Sequence, residues 1–160
     1  MRMTRCIPGL NRTATPAVSP MPTLNRAATK TLDALTEGLT SPGDSRKVDT
    51  SSFMAVHVEM IGTTPAGAPL FSVAHYFVQN GDMCQDPEMV FMQSTVGIAA
   101  AGDYFPVMFQ QAIPPVYQEA MNPRTGEHQP RLMAQLASFA NTWMKNIKDQ
   151  QELGHLSETA

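Results

Sequence analysis

The densest run of polar side chains in this sequence is His75-Tyr76-Phe77-Val78-Gln79-Asn80-Gly81-Asp82-Met83-Cys84-Gln85-Asp86-Pro87-Glu88. Asp82, Asp86 and Glu88 offer hard oxygen donors, which a divalent cation such as Mg²⁺ or Ca²⁺ requires. Their spacing misses the calcium-loop pattern, and no glycine-rich phosphate cradle accompanies them. In the plainer reading, Asp82 and Asp86 are turn and capping acids around Asn80-Gly81 and Pro87. A nuclease reading, with Asp86 and Glu88 as ligands at a strand edge, lacks a nearby lysine. His57 and His75 fall on successive predicted strands. If the hairpin between them turns near Ala66, the two imidazoles lie side by side, with Glu59 or Cys84 to complete a transition-metal set. A one-residue slip of register separates them. His128 and His155 read as loop and tail residues. The sequence holds no Gly-x-Ser-x-Gly and no Cys-x-x-Cys, so a nucleophilic hydrolase and a zinc ribbon have no support. No metal or cofactor is assigned.

The elements that position these residues read as an α+β domain. From Phe53 to Ile61 the set Met54, Val56, Val58 and Met60 alternates with Phe53, Ala55, His57 and Glu59, the period of a strand. Turn residues follow from Gly62 to Pro69, then a second strand over 70–78 rich in aromatic and β-branched residues. Asn80-Gly81 is a strong turn signal. Further strands are predicted at 88–93, at 104–110 and, more briefly, at 116–121. Pro106 places an edge or a bulge in the fourth strand. The clearest element is a C-terminal helix from Pro130 to about Asp149. Leu132, Leu136, Phe139, Ala140, Trp143 and Ile147 mark its apolar face, and Pro130 suits its first position. A weaker stripe (Leu24, Ala27, Ala28, Thr31, Leu32, Leu35) predicts a helix that Gly38 ends. The expectation is an antiparallel sheet of four to five strands packed by the C-terminal helix. The division is a disordered tail over 1–22, a helix over 23–39, a linker over 40–50, the α+β domain over 51–152, and a frayed terminus over 153–160.

Charge is distributed unevenly. All eleven Lys and Arg residues lie outside the window from Val48 to Pro123, which contains seven acids: Asp49, Glu59, Asp82, Asp86, Glu88, Asp103 and Glu119. Its formal charge is −7, against −3 for the whole chain. Strands carry few charges, so a solvated face accounts for part of this. The remainder points to a surface aimed at a basic partner. A domain without a basic footprint is a poor candidate for direct nucleic-acid binding. No run of 18 or more apolar residues spans a membrane. The N-terminal Met-Arg-Met-Thr-Arg never leads into an apolar stretch, so no export signal is read. Two distant cysteines, Cys6 and Cys84, fit reduced thiols in the cytoplasm.

The stretches Ala74-His75-Tyr76, Gln79-Asn80-Gly81-Asp82 and Asp86-Pro87-Glu88-Met89, extended by Tyr117-Gln118-Glu119 and Phe139-Ala140-Asn141-Thr142-Trp143, resemble the signature of a small bacterial domain family of unknown function. That family occurs on plasmids, integrative elements and phages. The resemblance covers about Phe53 to Gln151 and implies genomic company rather than chemistry, so no residue inherits a catalytic role. Together these readings favour a non-enzymatic mobile-element accessory protein that binds a basic partner protein, with inhibition of host defence as one such role. The expected contact residues are Asp82, Asp86, Glu88, His75, Asn80, Glu59 and Asp103. The alternative is a metal-dependent hydrolase or nuclease-like enzyme using Asp82, Asp86 and Glu88.

Overall fold

Burial alternates cleanly over residues 56–60, whereas residues 71–75, 89–92 and 104–107 are buried in unbroken runs, and the chain forms a single sheet carrying helices on one side. The structure is a computed structural model that describes residues 21–50, 52–95 and 102–153. Its elements in chain order are α1 (Arg26–Thr36), β1 (Ser45–Val48), β2 (Val56–Thr63), β3 (Pro69–Gln79), β4 (Asp82–Gln93), β5 (Tyr104–Gln111), β6 (Val116–Glu119) and α2 (Pro130–Gln150). The strands pair in sequence order, β1-β2-β3-β4-β5-β6, and every pair is antiparallel. Residues 1–20 of the expected tail and 154–160 of the expected frayed end lie outside the described residues. Met21 already packs against the core.

Among the described residues the sheet has six strands, against the four to five expected. The additional one, β1, lies inside the segment read as linker. Ser-Arg-Lys-Val carries no apolar alternation, so its strand character comes from pairing with β2 rather than from its own pattern. Arg46 adds a second anchor: its guanidinium donates to the carbonyls of Ala34 and Leu35, at 3.2 and 2.8 Å, and to that of Glu37. These are carbonyls that the last turn of a helix leaves without partners, and a cation satisfies them well. β4 also begins six residues before the predicted 88–93 strand, because Asn80 and Gly81 both take positive φ (53° and 86°) and make a two-residue turn between Gln79 and Asp82.

One face of the sheet holds the core. Val56, Val58 and Met60 of β2, Phe71 and Val73 of β3, and Met89 and Phe91 of β4 are buried there. α1 starts at an Asn25 cap whose side chain accepts from the Ala28 amide, and it buries Ala28, Thr31, Leu32 and Leu35. α2 buries Met133, Leu136, Ala140, Trp143, Met144 and Ile147 on the same side. The Tyr104 hydroxyl donates to Asp33 of α1 at 2.7 Å, and burial above all pushes its pKa well up. Buried Gln151 ties the end of α2 to the β1–β2 connection through Thr50 and the Met54 carbonyl. Pro106 sits beside a register shift between β4 and β5, where its missing N–H is tolerated.

Trp143 is 6% exposed, with its ring edge-on to His75 and tilted against Phe139. Trp143→Ala is expected to destabilise the domain by about 3–5 kcal/mol. Denaturant melts check this, and a loss under about 1 kcal/mol would contradict the packing described.

Candidate functional site

The face of the sheet away from both helices carries the polar groups that strand alternation keeps out of the core. One row across it reads Lys47, His57, Ala74, Glu88, Gln110 and Tyr117, each the direct partner of the next. The adjacent row reads Ser45, Glu59, Ser72, Val90, Met108 and Glu119. Glu88 lies at the centre. Ser72 donates its hydroxyl to one carboxylate oxygen at 2.5 Å, and Gln110 donates its amide to the other at 2.6 Å. Such charge-assisted bonds fix the carboxylate in position on a half-buried strand.

Two tyrosines and a histidine frame this carboxylate. Tyr76 stands edge-on to His57 with ring centroids 5.1 Å apart. Burial raises the pKa of Tyr76, and the charges of Glu88 and Glu59 raise it further. The Tyr117 hydroxyl donates to Glu119 at 2.7 Å, and this bond, more than burial, raises its pKa. Burial lowers the pKa of His57, Lys47 and His75 lower it further, and Asp49 opposes them. The face thus presents Glu59, Glu88 and Glu119 among aromatic rings, with Lys47 as the cation on the β1 edge. Lys47 is itself held 3.7 Å from Asp49.

The residues singled out from the sequence do not all meet here. Glu59 and Glu88 do. His75 lies on the opposite, helix-facing side, 8% exposed, with Nδ1 3.0 Å from the Ala55 carbonyl. His57 pairs with Ala74, so the predicted side-by-side arrangement of the two imidazoles is off by one residue and they occupy opposite faces. A bulge opposite Ala74 and Tyr76 also splits the acids of β4. Gln85 and Glu88 share the open face, while Asp82 falls on the alternate set with Cys84, and Asp86 is exposed inside the bulge. Asn80 forms the turn. Asp103 lies at the far end of the sheet, where its carbonyl accepts from Ser94. Among the described residues no three His, Cys, Asp or Glu side chains are placed to hold a metal ion.

Ser72, Tyr76, Gln110, Tyr117 and Glu119 were not among the expected contact residues. Their signal was the period of two along each strand, but which of them meet depends on register. A hollow of about 760 Å³ lies elsewhere, between α1 and the sheet near Lys30, Glu37, Leu39, Met60 and Phe71. Its Asp33, Thr36 and Gln93 are already engaged with Tyr104, which leaves it little free recognition chemistry. Among the described residues no helix is long and apolar enough to cross a membrane.

A family described as a domain of unknown function (DUF6908) matches residues 29–153, which is most of the chain. No curated protein and no solved structure matches it.

Two outcomes test the geometry. Glu88→Ala removes both bonds and leaves the buried Ser72 hydroxyl unpaired, so it should cost about 1.5–3 kcal/mol in denaturant melts. The His57 ring should titrate below the usual 6.5 when followed by NMR. A lowered folded pKa favours the neutral ring, so stability linked to it is present above 6.5 and falls as pH drops through the folded value.

Proposed function

From the premise that this chain belongs to the DUF6908 family of domains of unknown function, we propose that it is a non-enzymatic binding protein whose acidic open face takes a basic partner protein. One observation carries the reading: Glu59, Glu88 and Glu119 share a face with Tyr76 and Tyr117, and Lys47 at the edge is the only lysine or arginine in its two rows. Carboxylates beside aromatic rings suit lysine and arginine side chains, which pair with the former and stack on the latter. The same face repels phosphate, so a basic protein rather than nucleic acid is the partner. Asp82 and Asp86 extend the negative field along the β3–β4 hairpin and steer the approach, because complementary fields act mainly on the rate of encounter.

The mobile-element setting implied by the Asn-Gly-Asp to Asp-Pro-Glu signature fits an accessory factor that acts by occupying a basic surface of another protein, including a host defence factor. A reducing, cytoplasmic setting agrees with the two-cysteine composition. The metal-dependent alternative has less support, since His57 and His75 back onto opposite faces and the acids of β4 diverge at the bulge.

The test is binding of an octa-arginine peptide by the full chain. Glu59→Gln, Glu88→Gln and Glu119→Gln together keep shape and remove three charges. At low salt the substituted protein should associate at least about tenfold more slowly than the native one. The difference should fade at about 1 M salt, where screening acts over roughly 3 Å. Equal association by both forms at low salt would overturn the reading.

A further inference from the structure

The end of the sheet that carries the β3–β4 hairpin, the β5–β6 turn and the β1–β2 connection is unusually apolar. Val78 and Met83 pair directly across the hairpin and are 69% and 63% exposed. Ile113 in the β5–β6 turn is 56% exposed, and the turn meets the hairpin through a bond from the Ala112 amide to the Gln85 carbonyl. Antiparallel order puts the β1–β2 connection at this end too, with Phe53 and Met54 exposed in it. The ladder between β2 and β3 ends at the His57–Ala74 pair, so the hairpin extends past its neighbour as a two-stranded arm. Exposed valine and methionine on a strand that outruns its neighbour favour association, and chains normally blunt such positions. Here neither strand of the arm carries a lysine or arginine. The flanking charges are Asp82 and Asp86, both exposed.

We infer that this hairpin end is the affinity anchor for a cationic amphipathic segment of a partner protein, an inference that rests on the acidic-face reading and specifies its partner. Apolar side chains of the segment cover Val78, Met83 and Ile113, while its lysines or arginines face Asp86 at the rim and continue onto Tyr76 and Glu88. Charge complementarity selects this occupant: an acidic amphipathic segment meets like charges, and a purely hydrophilic cation leaves the apolar ridge wet. Methionine suits such a contact because its unbranched side chain adapts to the surface it meets. The acids set encounter and orientation, and the apolar pair sets residence time.

Two synthetic peptides of equal length and charge separate these contributions: one of leucine and lysine at helical spacing, the other of glycine, serine and lysine. The full chain should bind the leucine-containing peptide about tenfold more tightly or better. Val78→Ser with Met83→Ser should remove most of that advantage and leave binding of the hydrophilic peptide unchanged. Both substituted side chains are exposed, so thermal melts should match the native protein, and Ile113→Ser repeats the test away from the hairpin. Equal affinity for the two peptides, unaltered by Val78→Ser and Met83→Ser, would overturn this inference and leave the acidic-face reading standing. Binding of neither peptide would overturn both. Concentration-dependent self-association in ultracentrifugation, abolished by the same pair and without any peptide preference, would assign the ridge to a second copy of the chain instead.

Discussion

Among the described residues both helices lie on one face of the sheet, and the other consequences follow from that asymmetry. A six-stranded meander needs nothing beyond short connections to form, but it must dispose of two faces. α1 and α2 close the apolar one. On the other, Glu59 and Glu119 are exposed and Glu88 is half-buried, while Ser72, Ala74 and Val90 between them are buried. Glu88 is the pivot of that face because it is half-buried on a central strand. A carboxylate in such a place requires donors, and Ser72 and Gln110 from the flanking strands supply them. The bonds that satisfy Glu88 also lock three strands in register. A feature needed for folding therefore presents a fixed negative charge in the middle of a surface.

Bulges decide which side chains join Glu88. Register shifts occur in the β2–β3, β3–β4 and β4–β5 ladders. Each adds a residue to one strand only and reverses the facing of everything beyond it relative to a straight ladder. Past the β3–β4 bulge the open face carries Tyr76 and Gln85, then Val78 and Met83, and the acids Asp82 and Asp86 move to the side and rim of the arm. The surface thus grades from acidic and aromatic at the sheet's centre to apolar at its tip.

Much of this architecture was legible in the sequence. The stripe centred on Trp143 marked α2, although Phe139 turned out to be a margin residue, 41% exposed beside Phe109. The alternation around Val56–Met60 gave β2 and its buried face, and Asn80-Gly81 gave the hairpin. What was hidden depended on partners distant in the chain. Ser45–Val48 is a strand only because β2 and the end of α1 hold it. His57 and His75 were separated by one residue of register, which no local pattern records. Of the acids expected at the contact, Glu59 and Glu88 reach the open face, while Glu119, Tyr76 and Tyr117 join them through pairings that only the assembled sheet defines.

The central claim is that the open face, not the helical side, meets a basic partner. Side-chain NMR reads the two sides separately, because Tyr76 and Tyr117 report on one and the Trp143 indole on the other. On titration with octa-arginine at low salt, the account predicts progressive shifts of both tyrosine rings with the tryptophan unmoved, and their reversal at high salt. Shifts confined to Trp143 and the residues of α2, or no shift at either tyrosine, would contradict it.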